Sequence, residues 1–203
     1  MARICLDMGS GNTCRNDEDY VRRMINAVVD IDTGKHEIIF KWQLFESEPP
    51  NKPLSFDVFD FAYSYAEDCG YETTSSAFDE DSLIFLLQHR VPYVKIACRP
   101  RCYYLVGKVP REIPVYLSYQ DLADLPRVGP INVIMACVPH YPALLEEYPK
   151  GKLYYSDHVQ GLGLWYREQP EIWEKHFVLD RDDPDNPDAA GHATTPEELK
   201  EIL

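Results

Sequence analysis

Two short stretches hold residue types that could do chemistry together: Tyr155-Ser156-Asp157-His158 and Trp173-Glu174-Lys175-His176-Phe177. Each reads as the end of a β-strand, where side chains alternate between faces. Ser156 and His158 then share one face, as do Glu174 and His176. If the two strands are neighbours, both imidazoles converge on one point and can hold a metal ion. A lone histidine is more often hydrogen-bonded or at the surface, so the expectation rests on the pair. Polar residues recur at other strand ends: Asp7, Lys41 with Gln43, Ser76, Lys95 and Ser118. Lys41 lies between Phe40 and Trp42, and Lys95 between Val94 and Ile96. An ammonium buried among such neighbours is costly unless an anion pairs with it. An edge position or a structural ion pair accounts for either lysine alone. Two at matching strand ends, with three serines and a divalent cation, can hold a small polyanion.

The elements that must position these residues follow from the spacing of apolar residues. Eight short apolar runs read as strands: 3–6, 37–43, 72–76, 93–97, 115–118, 131–137, 152–156 and 172–176. A helix is expected after Asn16 as N-cap, with Tyr20, Val21, Met24, Ile25 and Val28 at helical spacing. A second is expected over about 54–68, with Phe56, Phe59, Tyr63 and Ala66 on one face, after a polar loop at 46–53. A third is capped by Asp79. Thr195-Pro196-Glu197-Glu198 has the pattern of a capping box with proline at the first helical position. Strands alternating with helices or loops indicate a parallel α/β fold, and eight strands close a (β/α)8 TIM barrel. Such barrels typically need ~250 residues; with 203, several outer helices must be shortened or missing. An open doubly wound sheet is the alternative, but no Gly-rich nucleotide turn is present. No repeat or linker divides the chain, so 1–203 is read as one domain.

Hydrophobic residues make up 45% of the chain, enough for one substantial core. The net charge of −14 argues against nucleic acid or an anionic membrane as partner. No secretory or membrane-spanning run is seen, and the six cysteines lack paired zinc spacing. A cytoplasmic protein with reduced thiols is expected.

The chain resembles the N-terminal catalytic barrel of the sialic acid synthase (N-acetylneuraminate synthase) family. The stretches that carry the resemblance are Lys41-Trp42-Gln43-Leu44-Phe45, Ser75-Ser76-Ala77-Phe78-Asp79 and Val91-Pro92-Tyr93-Val94-Lys95-Ile96. They continue with Pro114-Val115-Tyr116-Leu117-Ser118, Cys137 through Tyr141-Pro142, Tyr155-Ser156-Asp157-His158, Glu174-Lys175-His176-Phe177 and Pro196-Glu197-Glu198-Leu199. They run in family order across nearly the whole chain, with no counterpart of the family's C-terminal antifreeze-like domain.

The resemblance implies condensation of phosphoenolpyruvate with an amino-sugar or related aldose, giving a sialic-acid-like 2-keto sugar acid and phosphate. It implies that His158 and His176 bind Mn2+ or Mg2+. Lys41, Ser76, Lys95, Ser118 and Ser156 would hold the phosphate and carboxylate of phosphoenolpyruvate. Gln43, Tyr141 and Asp188 would face the sugar. Asp7 would stand where the family has a glutamate near a metal-bound water, and Asp7, Lys41 and Lys95 would be the catalytic groups. The metal would polarise the aldehyde as a Lewis acid, the enol carbon would attack, and water addition would lead to loss of phosphate.

Three departures weigh against the sugar half. Cys98, Arg99 and Pro100 replace small residues, a serine and a sugar-contacting glutamate; Pro139 replaces an asparagine; and Asp7 is one methylene short. These favour the alternative of a catalytically degenerate barrel that binds a ligand or partner without turnover. A Schiff base at Lys41 or Lys95 is a third option. Cys98 is read as a small apolar filler, His192 as a surface residue, and His36, His89 and His140 as locally hydrogen-bonded. The identity of the sugar and a homo-oligomeric state stay open.

Overall fold

Each apolar run is long enough for one strand, and successive strands pair in parallel in chain order until the last returns to the first. The computed structural model describes the 203 residues except 46, 48, 50, 128 and 190. The strands are β1 (Arg3–Gly9), β2 (Glu37–Leu44), β3 (Glu72–Ala77), β4 (Val94–Ile96), β5 (Val115–Tyr119), β6 (Val133–Cys137), β7 (Tyr154–Asp157) and β8 (Ile172–His176). They form a closed barrel in the order β1 to β8. Closure places Asp7 beside both Lys41 and His176. It also pairs Ser76 with Lys95 and Ser156 with Glu174. The fold is the expected (β/α)8 TIM barrel in shortened form.

The outer wall is uneven. The first three crossovers carry α1 (Glu18–Val29), α2 (Phe56–Asp68) and α3 (Glu80–Leu86). Their caps are Asp17, Ser55 and Asp79, whose side chains accept from the backbone N–H groups of Tyr20, Val58 and Ser82. The cap of α1 is therefore Asp17 and not Asn16. Asn16 instead takes a positive φ of 49° and ties down the next crossover, donating to the Pro53 carbonyl and accepting from Ser55 N–H. Phe56 also departs from expectation: it is largely exposed and stacks on Phe85 at 3.9 Å between ring centroids. Of the expected 46–53 loop, residues 46, 48 and 50 lie outside the described residues.

After β4 the crossovers shrink to 3-10 segments at Pro100–Lys108, Leu122–Asp124 and Leu145–Glu147, and then to α4 (Gly163–Glu168). The last helix, α5 (Pro196–Leu199), has the expected capping box of Thr195 and Glu198. Bulky side chains compensate for the thin wall: Tyr119, Tyr148, Tyr155, Trp165 and Trp173 are buried there. The cover is incomplete, since Ile134 on β6 stays partly exposed.

Inside the barrel, the alternation of each strand stacks two kinds of layer. Cys5, Ile39, Tyr93, Tyr116, Val133 and Met135 fill the lower interior as an apolar plug. Two residues further along the same strands come Asp7, Lys41, Lys95, Ser118 and Cys137, all buried. The plug seals the bottom, so this polar layer opens only towards the C-terminal ends of the strands.

Candidate active site

Polar residues that the sequence scatters over seven strands meet in this layer. Glu174 Oε1 is its hub. It accepts from Lys95 Nζ at 3.0 Å and Ser156 Oγ at 3.1 Å, and Lys41 Nζ lies 3.7 Å away. Lys41 also pairs with Asp7 Oδ2 and donates to Ser76 Oγ at 3.2 Å. Lys95 donates to Ser118 Oγ at 2.8 Å, and Gln43 donates to Asp7 Oδ2 at 2.9 Å. Every serine, lysine and glutamine expected at the site is therefore here. Glu174 was visible in the sequence on the face of His176 but had no assigned role.

The charges stay on because they are mutual. Burial would push Asp7 and Glu174 up; Lys41 outweighs it for both, aided by His176 at Asp7 and by Lys95 at Glu174, and holds them below the ordinary carboxylate range. Burial would pull Lys41 down, and Asp7 and Glu174 outweigh it in turn. Glu174 Oε2 is buried without a hydrogen-bond partner.

The histidines stand nearer the strand ends, with His176 two residues along β8 from Glu174 and its Nε2 3.5 Å from Asp7 Oδ2. The His158 and His176 ring centroids are 5.5 Å apart, so the two imidazoles do converge. His158 Nδ1 is 2.5 Å from the Val138 carbonyl; a carbonyl only accepts, so Nδ1 carries the proton and Nε2 keeps its lone pair. Burial beside His176 holds the His158 pKa well below its ordinary value, so the ring is neutral and suited to a metal. For His176 burial acts in the same direction, but Asp7 and Asp188 outweigh it and raise its pKa.

His192 corrects the expectation of a surface residue: it is 3% exposed. Its ring lies 4.7 Å from that of His176, centroid to centroid, and its Nε2 is 3.3 Å from Asp188 Oδ1. The chain after β8 folds back over the mouth because Thr194 N donates to the His176 carbonyl. Local sequence gives no sign of that return. Asp188 is half-buried between the two imidazoles, with His176 Nδ1 3.0 Å from Oδ1. Tyr141 caps the group, its ring centroid 4.3, 5.5 and 4.5 Å from those of His158, His176 and His192.

The mouth continues into a cleft of about 430 Å³ lined by Gln43, Arg99, Tyr141, Asp188 and His192 among others. Cys98 is more than a filler. It lines the mouth with Cys137, and a hydrogen bond from the Cys137 thiol, against burial, lowers its pKa to about 7. Pro139 lines the same wall with no side-chain amide. His36, His89 and His140 are held locally, by Ala2 N–H, Asp60 and Glu147.

No family model and no curated protein matches this sequence. Solved structures do. The N-acetylneuraminic acid (sialic acid) synthetase of Leptospira borgpetersenii serovar Hardjo-bovis, solved with citrate, superposes with a TM-score of 0.77 at 22% identity. The match covers 98% of this chain and 80% of that one. In fold, this chain is a (β/α)8 barrel similar to that synthetase. A putative spore coat polysaccharide biosynthesis protein E of Chromobacterium violaceum gives 0.77 at 18% identity, over 99% and 72% of the two chains. DAHP synthase of Thermotoga maritima gives 0.70 at 11%, over 99% and 66%. The (β/α)8 fold is thus shared with these structures, here in a shortened form. Among the described residues, no helix is long and apolar enough to cross a membrane.

Proposed function

We propose that this barrel condenses phosphoenolpyruvate with an aldose to give a 2-keto sugar acid and phosphate, using a divalent ion held at His158 and His176. One observation carries the reading. Lys41 and Lys95 converge on a single carboxylate oxygen, at 3.7 and 3.0 Å, at the closed end of a polar mouth, and the two imidazoles face that mouth. The fit to a metal rests on the donor set: His158 is neutral with Nε2 free, and Asp7 Oδ2 lies 3.5 Å from His176 Nε2.

In this reading Lys41 and Lys95 hold the phosphate and carboxylate of phosphoenolpyruvate, and Ser76, Ser118 and Ser156 add hydroxyl donors. The lysines are fixed before substrate arrives, so they stabilise charge on phosphate and carboxylate without reorganising. Glu174, 3.7 Å from Lys41 and hydrogen-bonded to Lys95, keeps both ammonium groups aimed. Gln43, Tyr141 and Asp188 face the aldose from the cleft side, and Asp7 orients a water near His176. The ion, when bound, supplies Lewis-acid polarisation of the aldehyde. The buried plug below the lysines shuts bulk water out of the closed end of the site. The polar, acidic chain fits a small-molecule enzyme of the cytoplasm with no nucleic-acid or membrane partner.

Phosphate release from phosphoenolpyruvate with Mn2+ and N-acetylmannosamine or other aldoses tests the proposal. Release that depends on both metal and aldose is expected; none with any aldose would remove the catalytic reading. Pro139 in the wall and the self-paired charges of Asp7, Lys41, Lys95 and Glu174 favour a second reading, a barrel that binds these ligands without turnover. It predicts a rise in melting temperature with Mn2+ and phosphoenolpyruvate but no product.

A further inference from the structure

We propose that the chain holds its divalent ion mainly through three side chains, His176, Asp188 and His192, with His158 as an outlying donor. The inference deepens the metal-dependent reading above. It changes which residues load the ion and makes loading independent of phosphoenolpyruvate.

One nitrogen of each imidazole and a carboxylate oxygen lie within 4.8 Å of one another. Two donors each about 2.1 Å from one ion stand roughly 3.0–3.4 Å apart at octahedral or tetrahedral angles. The observed separations from Asp188 Oδ1 are 3.0 Å to His176 and 3.3 Å to His192, so a small adjustment brings all three onto one ion.

Hydrogen bonding within the group does not satisfy it. His176 Nδ1 is near Asp188 but off the hydrogen-bond direction. It is buried without a partner, and so is His192 Nδ1. His192 Nε2 is hydrogen-bonded to Asp188, so the orphan facing this half-buried carboxylate is His176 Nδ1, 3.0 Å away, which a cation shared by the three would satisfy.

The fold also makes room for the carboxylate. Thr13 Oγ1 donates to Asp188 Oδ2 at 2.5 Å, leaving Oδ1 for the histidines. Gly9, with φ +79°, lets this arm approach β1: a Cβ there would meet Thr13 Oγ1 at 2.1 Å and Asp188 Oδ2 at 2.7 Å. Two imidazoles and one carboxylate with open positions suit a first-row divalent ion such as Mn2+ or Fe2+ and leave sites for substrate oxygens.

Mn2+ binding to the whole chain, followed by calorimetry and by electron paramagnetic resonance without any substrate, tests this. His192→Ala and Asp188→Asn should each weaken Mn2+ binding at least about tenfold, since loss of even an outer-shell partner has that effect. His158→Ala should weaken it less. Nitrogen couplings on bound Mn2+ should lose the His192 contribution in His192→Ala, a change that a merely structural role would not produce. Circular dichroism of each metal-free variant checks folding, and His192→Gln stands in where His192→Ala unfolds. Unchanged affinity and couplings in the His192 and Asp188 variants, with loss in His158→Ala, would overturn the proposal. Because no turnover is read, absence of condensation would leave this result standing, and the reverse.

Discussion

Two buried lysine–carboxylate arrangements occupy opposite faces of the same barrel wall. On the outer face, Lys175 of β8 lies 3.2 Å from Asp157 of β7, and both side chains are fully buried. Trp173 Nε1 and Val159 N–H donate to the same carboxylate, and Lys175 donates to the Val159 carbonyl. Burial prevails here: it lowers Lys175 and raises Asp157 despite their pairing. On the inner face Lys41, Lys95, Asp7 and Glu174 form a shared network, and partners prevail over burial. The outer pair is closed by backbone and indole, so it works as a fastener in the thin part of the wall. The inner network borders a cavity. A buried ion pair thus marks a site only when its free side faces space that a ligand can enter.

The largest effect should come from breaking the fastener. Asp157→Ala leaves Lys175 buried and unpaired, which costs about 3–5 kcal/mol of stability; urea denaturation measures it, and a loss near zero would remove the contrast. Next comes Lys95→Met, which leaves Glu174 paired with Lys41. Turnover should fall about 10²–10³-fold, the scale for removing one preorganised charge-stabilising donor. Its stability loss should be smaller than that of Asp157→Ala, and a steady-state phosphate-release assay run beside thermal melting checks both.

The smallest effect is one of pH, in the metal-free protein. Asp7 and Glu174 are lowered on folding, so their stabilisation is complete above the unfolded carboxylate values of about 4 and is lost as pH falls below them. Asp157 is raised, so in the window above about 4 its contribution runs the other way and stability declines as pH rises. Glu174→Gln should flatten the acid limb of the stability curve, and Asp157→Asn should leave that limb and remove the opposing slope. Melting temperatures between pH 3 and 7 on the two variants would show whether the faces differ in sign.

Much of the mouth was legible because a strand's period of two is rigid. Once 37–43 and 172–176 are strands, Lys41 shares a face with Gln43 and Glu174 with His176, whatever the rest of the chain does. The same rule put Lys175 on the other face. Glu174 had no assigned role because its lysine partners, Lys41 and Lys95, lie far along the chain and meet it only on closure. His192 was misplaced for a related reason: a polar, Asp- and Pro-rich segment reads as solvated loop. The two backbone hydrogen bonds of Thr194, to the His176 carbonyl and from Val178 N–H, draw it over the barrel. At the start of α1, Asn16 and Asp17 are equally good caps by residue type, and the tie to Pro53 and Ser55 decided between them.

Sequence by itself determined the strands, the faces on which polar groups stand, the caps of α3 and α5, and the absence of room for full outer helices. Those follow from backbone geometry and local hydrogen bonding, which reach only a few residues. Closure of β8 onto β1, the sharing of one Glu174 oxygen by two lysines, and the gathering of His176, Asp188 and His192 around Tyr141 were decided by tertiary structure. They depend on contacts between segments 79 or more residues apart or on a loop's return path, for which no local preference exists.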